Sequence, residues 1–314
     1  MTDISVVMGI YDAADTLRET LDSILAQEGA DFELIAVDDG STDGSAAILD
    51  EYAARDSRIR VLHQENRGLT QALIAGCAAA NGTFIARHDA GDRSAPDRLR
   101  KQRALFDREP CLVLAACTTE ITGPRGEHLY FSRPDSIASQ PIAIIDASKP
   151  HGRVAGPVHH GSAMFRRDAY EAAGGYRPEF YYGQDWDLWY RLGGLGLFQN
   201  IDEPLYVAGL TPSSISGTAR HAQHQLARLS HAALLARLRG ESDEAILRQA
   251  ARIRRPGKAG RRGRAQGLYF IGEVLRRNGD ARARGYLREA VRANPLHLRA
   301  WLRYAQAALS YAGR

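Results

Sequence analysis

Two acidic turns in the first hundred residues constrain this chain more than any other feature. Asp38-Asp39-Gly40-Ser41 and His88-Asp89-Ala90-Gly91-Asp92 each follow a short apolar run. The runs Ile4–Met8, Phe32–Val37, Ile59–Leu62 and Thr83–Arg87 read as strands. Helical stretches separate them; the first puts Leu17, Leu21, Ile24 and Leu25 on one face, with Asp12 to Asp15 available to cap it. Strand and helix alternating at this pitch predict right-handed βαβ units and a mostly parallel sheet. Open sheets of this kind bind ligands at the carboxyl ends of their strands. Carboxylates gathered there repel one another, so they are kept for a cation, a ribose or a proton. The expectation is an enzyme that handles a nucleotide.

Further along, Pro96–Phe106 reads as a helix, Cys111–Cys117 and Ser162–Arg166 as strands, and Asp187–Leu192 as the opening of a helix. Residues 120–160, rich in Gly, Pro, Ser and His, predict loops with one short helix. Thr211–Thr218 holds little but Ser, Thr, Gly and Pro, which places a domain boundary near residue 214. The expected domains are thus an α/β domain over 1–214 and an all-α region over 215–314. Within the latter, Gly267–Ala308 has the helix-hairpin pattern, Asn278-Gly279-Asp280 turn and Asn294-Pro295 break of a tetratricopeptide-like unit. Arg252–Arg264, with seven basic residues and no acid, predicts an exposed linker.

The net charge of +4 hides a division. Residues 1–210 carry 20 basic and 31 acidic residues, whereas 211–314 carry 21 and 6. The acidic part has carboxylates to offer a metal or hydroxyls; the basic part suits anions. Its simplest reading is a solvated helical surface. The next is peripheral contact with an anionic membrane leaflet, worth roughly 1 kcal/mol per basic residue near the surface. Nucleic acid is not expected, because the basic residues lack interleaved aromatics. No run of apolar residues is long enough to span a bilayer, and the N-terminus lacks a signal-peptide pattern. Cys77, Cys111 and Cys117 have no metal spacing and read as buried, reduced thiols. The expected location is cytoplasmic, with peripheral attachment at the inner face of the membrane as an extension of that reading.

Ile4-Ser5-Val6-Val7-Met8-Gly9-Ile10-Tyr11-Asp12, Val37-Asp38-Asp39-Gly40-Ser41-Thr42-Asp43-Gly44, Asn66-Arg67-Gly68-Leu69, Phe84-Ile85-Ala86-Arg87-His88-Asp89, Gly174-Gly175-Tyr176 and Gln184-Asp185-Trp186-Asp187 occur in this order. Together they resemble family 2 glycosyltransferases of the GT-A fold, over about two-thirds of the chain. The resemblance implies an inverting transferase that moves a sugar from a nucleotide-sugar, a UDP-sugar by preference, to a hydroxyl acceptor. The acceptor would be a sugar, a lipid-linked glycan or a protein, in surface polysaccharide, lipopolysaccharide or glycoprotein assembly.

By the same resemblance Tyr11 lies against the base, Asp39 accepts from its ring N–H, Arg67 lies near the diphosphate, and Asp89 opens the Asp-x-Asp motif toward the ribose or a metal. Asp185 is the implied catalytic base, and the alternative role for it is a helix cap. His159, His160 and Trp186 fall in the acceptor region. The implied cofactor is Mn²⁺ or Mg²⁺. Here the chain departs from the pattern: Gly91 replaces the second Asp, and Asp92 follows one place later. Either Asp89 and Asp92 share the metal, or water fills the gap, or the cation matters less. The basic Tyr-Arg-x-His of relatives is also replaced, by Tyr206-Val207-Ala208-Gly209. These departures favour an alternative in which the protein is a catalytically weakened nucleotide-sugar-binding or scaffolding protein of the same fold.

Overall fold

The computed structural model describes residues 2–133, 157, 159–212, 220–253 and 260–310. Strands β1 (Ile4–Ile10), β2 (Phe32–Asp38), β3 (Ile59–His63) and β4 (Phe84–Arg87) run parallel in the order β3-β2-β1-β4. Helices α1 (Ala14–Leu25), α2 (Ser45–Arg55) and α3 (Leu69–Ala78) connect them. Alternate residues of the strands enter two separate cores. Val6, Met8, Leu34 and Ala36 pack with Leu17, Leu21 and Leu49, while Val7, Ile35 and Val37 pack with Leu73 and Cys77 on the opposite face. Burial on both faces is what makes these strands continuous apolar runs.

The parallel arrangement ends at β4, where the strand–helix alternation also ends. Beyond it β8 (Met164–Arg166) is antiparallel to β4, and β6 (Leu112–Thr122) is antiparallel to β8. β9 (Leu197–Gly209) and the short β5 (Arg93–Ser94) complete the row, so the sheet is mixed. Helices α4 (Arg98–Arg108), α5 (Arg167–Ala172) and α6 (Gln184–Leu192) flank it. Residues 120–132, expected as loop, instead carry the end of β6 and its partner β7 (His128–Ser132). The Gly-Pro-Arg-Gly turn dominates the composition there and masks the β-branched Thr118-Thr119 and Ile121-Thr122 leading into it. Residues 134–156, which include most of the other expected loops, lie outside the described residues. Cys77 and Cys117 are buried, and burial pushes their thiols up to about 11 and about 12. Cys111 is exposed, contrary to expectation, because β6 starts one residue later and leaves it in the preceding turn.

The chain packs as two compact units: Met1–Glu120, Phe131–Ala208 and Leu226–Ile253 form the first, and Ile121–Tyr130, Gly209–Gln225 and Arg254–Arg314 the second. In the first, most of α7 (Arg220–Leu238) and α8 (Glu244–Ala251) join the sheet region. Leu226 and Ala250 close on Phe180, and the Asp243 carboxylate bridges Arg177 and Arg237 at 2.7 and 2.6 Å. The second unit holds the helices α9 (Arg261–Arg277), α10 (Ala283–Ala293) and α11 (Leu298–Ser310). Its hairpin turn uses Gly279 at φ +74° and an Asp280 N–H donated to the Leu275 carbonyl. Tyr286 donates to Glu127 at 2.8 Å, and Asn278 donates to the Leu129 carbonyl at 2.7 Å. Among the described residues no helix is long and apolar enough to cross a membrane.

Candidate active site

Because β1, β2 and β4 are parallel, the residues that follow them share one edge of the sheet. Asp39 adds a rung beyond β2 by donating its N–H to the Ile10 carbonyl at 2.8 Å. Its Oδ1 accepts from Gln64 Nε2 at 2.6 Å and the Arg67 N–H at 2.9 Å, and Oδ2 accepts from the Gly68 N–H at 2.7 Å. Asp39 thus anchors the loop before α3 and keeps accepting capacity on Oδ2. The Arg67 side chain is exposed, as is Tyr11 just beyond β1. Asp12, at φ +48°, accepts from the Thr42 N–H at 2.9 Å and so ties the turn after β1 to the turn after β2.

A second cluster forms where β4 ends. Arg87 is fully buried, and each arm of its guanidinium is used. Nη1 donates to the Val7 carbonyl, Nη2 to Asp89 Oδ1 at 2.7 Å, and Nε to His160 Nε2 at 3.3 Å. A guanidinium can only donate, so His160 Nε2 carries the lone pair and the ring is neutral. The Tyr176 hydroxyl, 2.6 Å from the same nitrogen, donates to it as well. Burial and then the Arg87 charge push His160 down to about 3. His160, expected in the acceptor region, is buried. A second buried arginine, Arg98, holds the Arg87 and Gly161 carbonyls at 3.2 and 2.9 Å and lies over the Tyr206 ring.

Asp89 remains 29% exposed on its far side, and its N–H donates to the Tyr206 hydroxyl at 3.0 Å. Burial works to raise its pKa, but the surrounding groups together, Arg87 first among them, hold the carboxyl below its ordinary range. Ligand atoms of Asp89, Asp92 and His159 all lie within 4.8 Å of one another. The backbone explains the missing second Asp of the motif. Gly91 sits at φ +96°, a conformation costly for any side chain, and donates its N–H to Thr20 Oγ1. The turn it makes puts the next carboxylate at Asp92, whose N–H bonds the Asp89 carbonyl at 3.2 Å. His159 Nδ1 is buried without a hydrogen-bond partner among the described residues, and burial lowers this ring's pKa. Two carboxylates and a neutral imidazole, whose Nε2 stands 3.9 Å from Asp92 Oδ2, suit a divalent transition metal.

Asp185 occupies the second position of α6, just after Gly183 at φ +69°. Its burial, with the Asp89 charge adding, pushes the carboxyl up to about 6. Backbone N–H groups of the first turn, those of Trp186 and of Asp185 itself, donate to the carboxylate and work against this rise. Asp187, the other acid there, is buried against Arg191 at 2.6 Å. Trp186 is half-buried, packed on the core and beside Tyr190. The structure therefore gathers Asp89, Asp92 and His159, and Asp185 feels the charge of Asp89. It joins Asp39 to the Arg67 backbone at another point of the strand edge. Sequence reading attaches no role to Arg87, Tyr206 or Gly161. A lone arginine closing the apolar Phe84-Ile85-Ala86 strand, two residues before an acid, is the signal that points to the first.

Gly161 offers a test of how tightly this cluster is built. A Cβ there would overlap the Tyr206 hydroxyl and stand 3.1 Å from Asp89 Oδ2. Gly161→Ala is expected to cost about 1–3 kcal/mol of stability and to weaken metal and donor binding together. Urea denaturation and calorimetric titration would show it, and parental values in both would contradict the geometry.

A sequence profile described as glycosyl transferase family 2 matches residues 5–174. A Bacillus subtilis protein named as a glycosyltransferase, EpsE, is 34% identical over 211 residues, covering 65% of this chain and 71% of its own. The succinoglycan biosynthesis protein ExoO of Rhizobium meliloti is 41% identical over 100 residues, 32% of this chain and 28% of its own. Among solved structures, S. aureus TarS 1-349 in complex with UDP superposes with a TM-score of 0.58 at 14% identity, covering 99% of this chain and 92% of that one. The likeness to TarS establishes the GT-A fold.

Proposed function

The chain belongs to glycosyl transferase family 2, and from that premise we propose that it transfers a sugar from a UDP-sugar to a hydroxyl acceptor with inversion, in the assembly of surface polysaccharide. The observation that carries the reading is the gathering of Asp89, Asp92 and His159, with Asp185, a carboxyl that burial pushes up to about 6, within reach of the Asp89 charge. The UDP preference is supported by Asp39, which keeps an oxygen able to accept from a base N–H, and by the UDP complex of TarS. The polysaccharide role is supported by the named role of ExoO. A cytoplasmic setting agrees with three free cysteines.

In this reading the acceptor hydroxyl gives its proton to Asp185 as its oxygen attacks the anomeric carbon. The bond from that carbon to the diphosphate oxygen breaks on the opposite face, and the nucleoside diphosphate leaves. Asp185 is suited to the work because its pKa keeps it ionised at neutral pH yet basic enough to take a proton. Arg87 keeps Asp89 ionised beside it. Asp89, Asp92 and His159 would hold the cation, Mn²⁺ in preference to Mg²⁺ because one donor is an imidazole nitrogen. When bound, the cation supplies positive charge against that developing on the leaving group.

Thermal-shift screening of UDP-, GDP-, dTDP- and CMP-sugars, each with and without Mn²⁺, tests this. The largest rise is expected for a UDP-sugar with Mn²⁺. A ligand at about 100 times its Kd contributes about 2.7 kcal/mol, or a Tm rise of about 4 °C for a chain of this length. No shift with any donor would sink the reading. An equal shift without Mn²⁺ would remove the metal from it.

A further inference from the structure

The last helix of the second unit is apolar on the wrong side. Ala300 and Ala307 are its fully buried residues, whereas Leu298, Trp301, Leu302 and Leu309 are 80, 48, 56 and 79% exposed. At the helical repeat these four fall, with exposed Ala305, on one stripe roughly 100° wide that runs the length of α11. Leu296, 81% exposed, continues the stripe into the preceding turn. Single exposed leucines are ordinary, but a contiguous stripe marks a contact surface. Trp301 is held in place, because its indole N–H donates to the Pro295 carbonyl at 2.9 Å. Its polar edge is satisfied within the protein, and what remains exposed is apolar ring.

Charge selects the occupant. Residues 254–314 contain 15 Arg or Lys and 3 Asp or Glu. Exposed Arg299 lies on the flank of the stripe, and exposed Arg292 closes α10 just ahead of Leu296. A second copy would bring two strongly basic surfaces face to face, whereas anionic headgroups complement them. We infer that this face of α11 docks on an anionic lipid surface, with the Leu and Trp stripe at the headgroup–acyl boundary and Arg292 and Arg299 against lipid phosphates. The inference rests on the second unit alone and is independent of the catalytic reading.

The test is sedimentation of the full chain with phosphatidylcholine vesicles, with and without phosphatidylglycerol, alongside light scattering of the lipid-free protein. Binding is expected only with phosphatidylglycerol and is expected to weaken with salt. The triple variant Leu298→Ser/Trp301→Ser/Leu302→Ser should lower the partition coefficient by at least about tenfold. Arg292→Glu/Arg299→Glu should do so by a factor on the order of ten or more. Both variants should keep the parental circular dichroism, because the replaced side chains are exposed or at the surface. Wild-type protein left in the supernatant, or a triple variant that sediments like the parent, overturns the proposal. So does a lipid-free dimer that the triple variant dissociates, which would assign the stripe to self-association.

Discussion

Asp185→Asn is expected to lower kcat by about 10²–10⁴-fold, the usual contribution of a positioned general base, while nucleotide-sugar affinity stays at the parental level. Asn keeps the shape of the side chain and the start of α6 but cannot accept the proton. Stability separates this outcome from misfolding. The folded pKa of Asp185 is about 6, above the ordinary value of 3.8, chiefly through burial. A carboxyl raised in this way favours the folded state while protonated, and that contribution is lost as pH rises through 6. At neutral pH the ionised group is therefore a burden that Asn removes. The variant should unfold at the same urea concentration as the parent or a higher one. An inactive variant with a lower midpoint would point to structural damage, and one with the parental rate would remove Asp185 from the chemistry.

Arg87→Met is expected to cost about 3–5 kcal/mol, the usual penalty for stripping one partner from a buried ion pair. The guanidinium is the hub of the cluster: it holds Val7, Asp89 and His160 from three elements of the fold and is itself fully buried. Without it the Asp89 carboxylate stands uncompensated next to Asp185, and both carboxyl pKa values should rise. The double variant Arg87→Met/Asp89→Asn leaves no unpaired buried charge, so it should be less destabilised than Arg87→Met alone. Urea midpoints of the four proteins in this cycle measure the coupling. Additive effects would show that the pair contributes nothing.

Much of this was legible in the residues. The parallel half of the sheet follows from apolar runs alternating with amphipathic helices, because both signals are local and periodic. The antiparallel half was not, since β8 and β9 pair through contacts distant in sequence, and the β6–β7 hairpin hides behind a Gly- and Pro-rich turn. Within the site, Asp89 and Asp92 stand out as acids after a strand. That His159 joins them depends on a turn some seventy residues further on, which no spacing rule anticipates. His160, its neighbour in sequence, instead bonds Arg87 and Tyr176 and is buried. Gly91 reads in sequence as a defect in a motif; its left-handed φ shows a turn that delivers the second carboxylate one residue later.

The pH dependence of kcat, measured with the donor that gives the largest thermal shift, tests the central claim most directly. Asp185 must be ionised to take a proton, so the rate should be level above neutrality and fall about tenfold per pH unit below an apparent pKa near 6. Asp89→Asn removes a neighbouring negative charge and should move whatever activity remains to a lower apparent pKa. A profile flat from neutrality to well below pH 5, in a protein that stays folded over that range, would contradict the assignment of the Asp185 carboxyl as the proton acceptor.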